Sequence, residues 1–189
     1  MLASSNEKVD IITIGFLQII EQLFKSEADE ISPLSGIELV KTKVNKLWIM
    51  GGKWTEQGER EFNLSYTPFA CESASYVIAN SPVEMTFLGW EIGAGLYTGG
   101  NLNKEDHLHK ILCDWGCPNG RESWDPMTVM LALTGDEEKA GYNAVRFIPR
   151  VDAKDGKNYF ELDENSPHKF VTKKFEDLYY VNQINEEIK

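Results

Sequence analysis

Apolar and polar positions fall in blocks along the chain, and the lengths of the blocks set the elements they predict. Val9 to Ile14 is β-branched and nearly continuously apolar, as a strand covered on both faces would be. Gly15 breaks that run, and Phe16 to Phe24 takes helical spacing. A polar loop around Ser32 to Gly36 leads to a short helical stretch near Ile37 to Lys43, and a second apolar strand runs from Lys46 to Met50. The connection is long enough for a parallel crossover. Thr67-Pro68 predicts a helix start, with Thr as cap and Pro in the first position, and the helix runs to Asn80. Another strand follows over Val83 to Leu88. Apolar strands separated by helices imply an α/β fold, a mostly parallel, Rossmann-like open sheet with helices on both faces.

Beyond Gly89 the pattern loosens into a glycine-rich piece, a polar helical stretch from Lys104 to Trp115 and a loop from Gly116 to Ser123. Trp124-Asp125-Pro126 then opens a compact apolar helix that reaches Leu133. From Tyr142 the chain reads as antiparallel, with strands at Ala144 to Ile148, Lys157 to Leu162 and Lys169 to Thr172. Lys173 to Lys189 closes as an amphipathic helix. No repeat or compositional break divides the 189 residues, so the expectation is one domain over 1–189.

Charge narrows the partners. A net charge of −11 argues against a nucleic-acid backbone, which needs concentrated Lys and Arg, and leaves neutral or cationic small ligands open. No apolar run approaches the length of a membrane span, and residues 1–8 lack the features of a signal peptide. As written the chain is expected to be soluble and cytoplasmic, any export signal lying upstream. Cys71, Cys113 and Cys117 cannot pair completely, and Cys113 and Cys117 lack the second Cys/His pair of a zinc site. His107 and His109 stand two apart on a helix and do not face each other. His168 reads as a surface residue of the terminal hairpin.

In open parallel sheets ligands bind beyond the carboxyl ends of the strands, which here means Gly15 to Gln18, Met50 to Lys53 and Gly89 to Glu91. The loop carrying Glu61 and Asn63 follows one of these ends. Together with Asp125 it offers two carboxylates, a carboxamide and strand-end carbonyls, a set suited to a polyhydroxylated ligand, a hard cation, or both. Plain readings stand beside these. Asp125 before Pro126 makes a helix cap, Glu61 and Asn63 make a polar loop, Met50 is core, and Trp124 either stacks on a ligand or packs beneath its loop.

Ile49 to Gly52, the Glu61-Phe62-Asn63 triplet before a helix at Thr67-Pro68, the Leu88 to Ile92 strand end, and Ser123 to Met127 occur in the order and spacing of nucleoside hydrolases. The whole chain resembles the C-terminal portion of the inosine-uridine-preferring family. The resemblance implies hydrolysis of the N-glycosidic bond of a ribonucleoside through an oxocarbenium-like transition state, with Ca²⁺ holding the ribose and the attacking water. By that resemblance Glu61 and Asn63 bind ribose hydroxyls, Met50 lines the sugar pocket, Asp125 ligates calcium, and the main-chain carbonyl of Gln18 is a further ligand. Trp124 stands where many members have His, the leaving-group acid, although a related branch also carries Trp. The family's opening aspartate-rich segment, which supplies the general base and most calcium carboxylates, has no counterpart here, so Met1 falls near the middle of a family member. The expectation is therefore that the chain alone has no catalytic residue, binds calcium weakly or not at all, and is inactive. It would supply the ribose-binding half of a site completed by a separate upstream polypeptide; a homo-oligomer is the other assembly open to it. The other reading is a non-catalytic remnant, a weak ribose-binding or sheet-completing module.

Overall fold

The computed structural model describes residues 2–189. Its first half builds β1 (Val9–Thr13), α1 (Gln18–Lys25), α2 (Gly36–Lys43), β2 (Val44–Met50), β3 (Glu59–Arg60), α3 (Phe62–Ser65), α4 (Pro68–Asn80) and β4 (Glu84–Leu88). The second half adds α5 (Trp90–Gly93), β5 (Tyr97–Gly99), α6 (His107–Asp114), β6 (Gly120–Glu122), α7 (Trp124–Thr134), β7 (Tyr142–Val151), β8 (Lys157–Leu162), β9 (Lys169–Lys173) and α8 (Asp177–Glu187). Seven strands form one sheet in the order β1-β2-β4-β9-β7-β8-β3, and β5 pairs with β6 apart from it. β1, β2, β4 and β9 run parallel, whereas β7, β8 and β3 join in antiparallel fashion. The fold is thus α/β, mostly parallel across its first four strands, as the apolar runs imply.

Alternation along β2 explains why both faces are covered. Leu47 and Ile49 point into a core shared with Leu17, Phe24, Val40, Trp54, Phe87 and Phe147. Trp48, one residue out of phase, points into the other core with Leu88, Met127, Leu131, Val171 and Tyr180. Trp54 is the hub of the first core, edge-on to Phe87 and Phe147 at centroid distances of 5.0 and 4.9 Å. Truncating so large a buried ring costs about 3–5 kcal/mol. β7 shows the other strand signature, with Phe147, Pro149 and Val151 buried between exposed Arg146, Ile148 and Arg150.

The C-terminal strands are antiparallel to one another as expected, β7 pairing with both β8 and β9, but they are not set apart from the parallel sheet. β9 enters the middle of the sheet, parallel to β4 with Thr86 opposite Lys169 and Phe87 opposite Phe170, and antiparallel to β7. Its buried Phe170 and Val171 each feed one of the two cores, which a strand at the sheet's margin could not do. His168, just before β9, is likewise not a surface residue. It is half-buried, and its Nδ1 accepts a hydrogen bond from the Met85 N–H at 3.1 Å. At this same starting end of the parallel strands, Lys46 and Lys169 bridge Glu84 and Glu137 at 2.8–3.5 Å, a closed quartet of two positive and two negative charges.

Two caps separate expectation from outcome. Thr67 caps α4, its side chain accepting from the Ala70 N–H at 3.1 Å, with Pro68 in the first turn. Asp125 is not a cap: α7 already includes Trp124, Ser123 holds the cap position, and Asp125 lies in the first turn. There its charge meets the positive end of the helix dipole.

Candidate functional site

The carboxyl ends of β2 and β4 lie side by side, with Met50 opposite Leu88. After Met50 the chain turns through Gly51 and Gly52, and the glycines are required by space. Gly52 has φ +84°, and a Cβ there would come within 2.5 Å of the Trp54 ring. The chain returns as β3 and then α3, and Glu61 is the cap of that short helix. Its Oε1 accepts from the Asn63 N–H and its Oε2 from the Gly52 N–H, both at 3.0 Å. Only 4% of Glu61 is exposed, so the reading of a solvated polar loop is overturned for this residue. Asn63 is half-buried and reaches back to β2, its Nδ2 lying 3.2 Å from the Met50 carbonyl and 3.1 Å from Met50 Sδ. Met50, Glu61 and Asn63 therefore meet at one strand end.

Electrostatics set this cluster apart. Burial raises the Glu61 pKa above the ordinary carboxylate value; the backbone N–H bonds from Asn63, Gly52 and Leu64 oppose the shift, and the charge of Asp125 adds to it. The surrounding protein raises Asp125 too, against the pull of Arg121. Glu91, at the end of β4, is raised by burial as well. Its Oε1 accepts from the Trp54 N–H at 3.1 Å, and its Oε2 is buried without a partner. Raised carboxyls on neighbouring strand ends mark a candidate site.

The remaining candidates make no hydrogen bond to this cluster among the described residues, although the charge of Asp125 reaches Glu61. Asp125 is exposed and borders a cavity of about 610 Å³ lined by α7, α8 and Ile14, whose walls do not include Glu61 or Asn63. Trp124 is half-buried; its Nε1 donates to the Trp90 carbonyl at 2.7 Å and its ring covers Gly93. Gln18 opens α1 and is half-buried. Among the described residues no group of three or more His, Cys, Asp or Glu side chains is placed to hold a metal ion. Asp125 with one carbonyl falls short of the 6–8 oxygens calcium takes, so this donor set does not fit the ion and no chemistry below runs through one.

Sequence reasoning missed two residues that shape the site. Glu91 lies inside the strand-end window but carries no motif of its own. Asn158, on β8, is fully buried and bonds both sides of Lys53, its Oδ1 accepting from the N–H at 3.0 Å and its Nδ2 donating to the carbonyl at 2.5 Å. Nothing in the alternation of β8 marks it.

A mostly parallel open sheet with helices on both faces and a short antiparallel extension is an α/β fold of nucleoside-hydrolase type. The inosine-uridine preferring nucleoside hydrolase from Bacillus anthracis has a similar fold, with a TM-score of 0.56 at 14% identity over 99% of this chain. The chain spans 63% of that enzyme's length. At that identity the likeness speaks for the fold alone. No protein-family profile matches the sequence, and no curated protein does.

Proposed function

We propose that the chain provides the ribose-binding part of a nucleoside N-ribohydrolase, a hydrolase that splits a ribonucleoside into ribose and free base. The meeting of Met50, Glu61 and Asn63 at the carboxyl end of β2 carries this reading. A carboxylate and a carboxamide two residues apart can take adjacent sugar hydroxyls, one as acceptor and one as both donor and acceptor. As the glycosidic bond breaks, the ring flattens and gains positive charge, and a fixed carboxylate beside it holds that state more tightly than the ground state. In this reading Met50 gives the apolar floor, and Trp124, packed over Gly93, flanks the exposed Asp125 in α7. Calcium enters the proposal only with further oxygen donors, which a second polypeptide would bring, together with the general base.

The test is a titration of the ¹⁵N-labelled chain with D-ribose, together with an inosine turnover assay. Ribose should shift the amides of Gly52, Glu61 and Asn63, and Glu61→Ala should weaken binding about ten- to a hundredfold, the worth of one hydrogen bond to a charged group. Turnover of inosine should be absent for the chain alone. Amides that stay unmoved at saturating ribose sink the sugar site and favour the second reading, a sheet-completing module, for which the outer edge of β1, unpaired among the described residues, speaks.

A further inference from the structure

Residues 51–54, the strap that follows β2, are held by bonds from four directions. Gly51 N–H goes to the Leu88 carbonyl at 3.1 Å and Gly52 N–H to Glu61. Lys53 N–H goes to Asn158 and Trp54 N–H to Glu91. No two of these acceptors are neighbours in sequence, and Asn158 lies 105 residues from Lys53, in the antiparallel part of the sheet. The strap has no strand partner of its own at Lys53. The Asn158 carboxamide supplies one in miniature, an acceptor for the N–H and a donor for the carbonyl of the same residue. Asn158 is 0% exposed, so its carboxamide meets these two groups in place of water.

We infer that Asn158 is a positioning residue for the sugar site, acting on Glu61 through the strap. By fixing Lys53 it fixes the adjoining Gly52 peptide, whose N–H the Glu61 carboxylate accepts, and so sets which lone pairs of Glu61 are left for a ligand. Glu91 does the same one peptide further on by holding Trp54. The inference rests on the reading of Glu61 as a ribose ligand. It ties the C-terminal hairpin, which carries none of the proposed ligands, to the geometry of the site.

Asn158→Leu, close in shape and apolar, removes both bonds, and Asn158→Asp keeps an acceptor for the Lys53 N–H. Tyr180→Phe, which removes a hydroxyl bonded to the Gly141 carbonyl in the other core, serves as a destabilised control. Melting temperature, D-ribose affinity and the hydrogen exchange of Gly52 are measured for all three and for the wild type. Asn158→Leu should bind ribose about tenfold more weakly, with Asn158→Asp between it and the wild type. Tyr180→Phe should melt earlier with its affinity unchanged. Wild-type affinity in folded Asn158→Leu overturns the inference and leaves Asn158 a pin for stability only. A wild type without any ribose response overturns the sugar-site reading itself. The exchange of Gly52 then decides the strap: about tenfold faster in Asn158→Leu than in Tyr180→Phe supports the hold on Gly52, and equal rates refute it.

Discussion

Glu61 is a buried acid whose carboxylate the Gly52 and Asn63 N–H groups keep in place while burial and Asp125 push its proton affinity up. The sign of its effect on stability follows. With the folded pKa above the unfolded one, its contribution is fully present below the unfolded value, near 4.5, and is lost as pH rises through the folded pKa. Glu91 and Asp125 are shifted in the same direction and act in the same sense. Glu61→Gln should therefore show a shallower loss of stability above pH 4.5 than the wild type, read from denaturant midpoints across that range. At pH 7 it should also be about 1–3 kcal/mol less stable, because an amide nitrogen would face a backbone N–H. Asn63→Leu tests the other half of the pair. It leaves the Met50 carbonyl without its side-chain donor and should cost about 1 kcal/mol in urea melts while abolishing the ribose response.

At the scale of elements, His168 links β4 to β9 across the middle of the sheet through the Met85 N–H, and burial lowers its pKa. A neutral imidazole can accept that bond, whereas a protonated one cannot. The folded pKa lies below the unfolded value near 6.5, so the stabilisation is present above 6.5 and drains away as pH falls toward the folded pKa. Glu84, the nearby charge of the quartet, moderates this by favouring the cation. His168→Gln keeps an acceptor without the titration, and its melting temperature should fall less than the wild type's between pH 7 and 5. β1, β2, β4 and α4 were legible because long apolar runs, a Thr-Pro start and spacing carry local signals. The place of β9 was not, since a strand's neighbours are chosen by the whole sheet and Phe170-Val171 is too short a run to show that both faces are buried. The pairing of Glu61 with Asn63 could be read from the triplet, but its burial could not, because a charged residue in a polar loop reads as surface. Asn158 gave no signal at all: its value lies in a contact 105 residues away.

The whole molecule has an open side. β1 pairs with β2 and, among the described residues, with no strand on its outer edge. Large apolar side chains stand in water on β1's neighbours in the chain and in the fold: Ile14, just after β1, is 45% exposed, Ile19 on α1 77%, and Leu133 on α7, which packs against β1, 78%. Phe16 stacks on Phe62 and Tyr66 at centroid distances of 5.6 and 6.0 Å, and all three rings are exposed. A free edge flanked by apolar surface favours association, and a net charge of −11 opposes it. The balance depends on salt, because repulsion between exposed charges is screened beyond about 8 Å at physiological ionic strength, whereas burial of apolar surface is not weakened by it. Light scattering after size exclusion should thus show self-association that grows with protein concentration and strengthens as salt is raised. Ile19→Lys with Leu133→Lys should return the chain to a monomer without lowering its melting temperature by more than a few degrees, since neither side chain is buried. A wild-type chain that stays monomeric at high salt, with a single cooperative melt, would mean that the edge is self-sufficient and that this open side needs no partner.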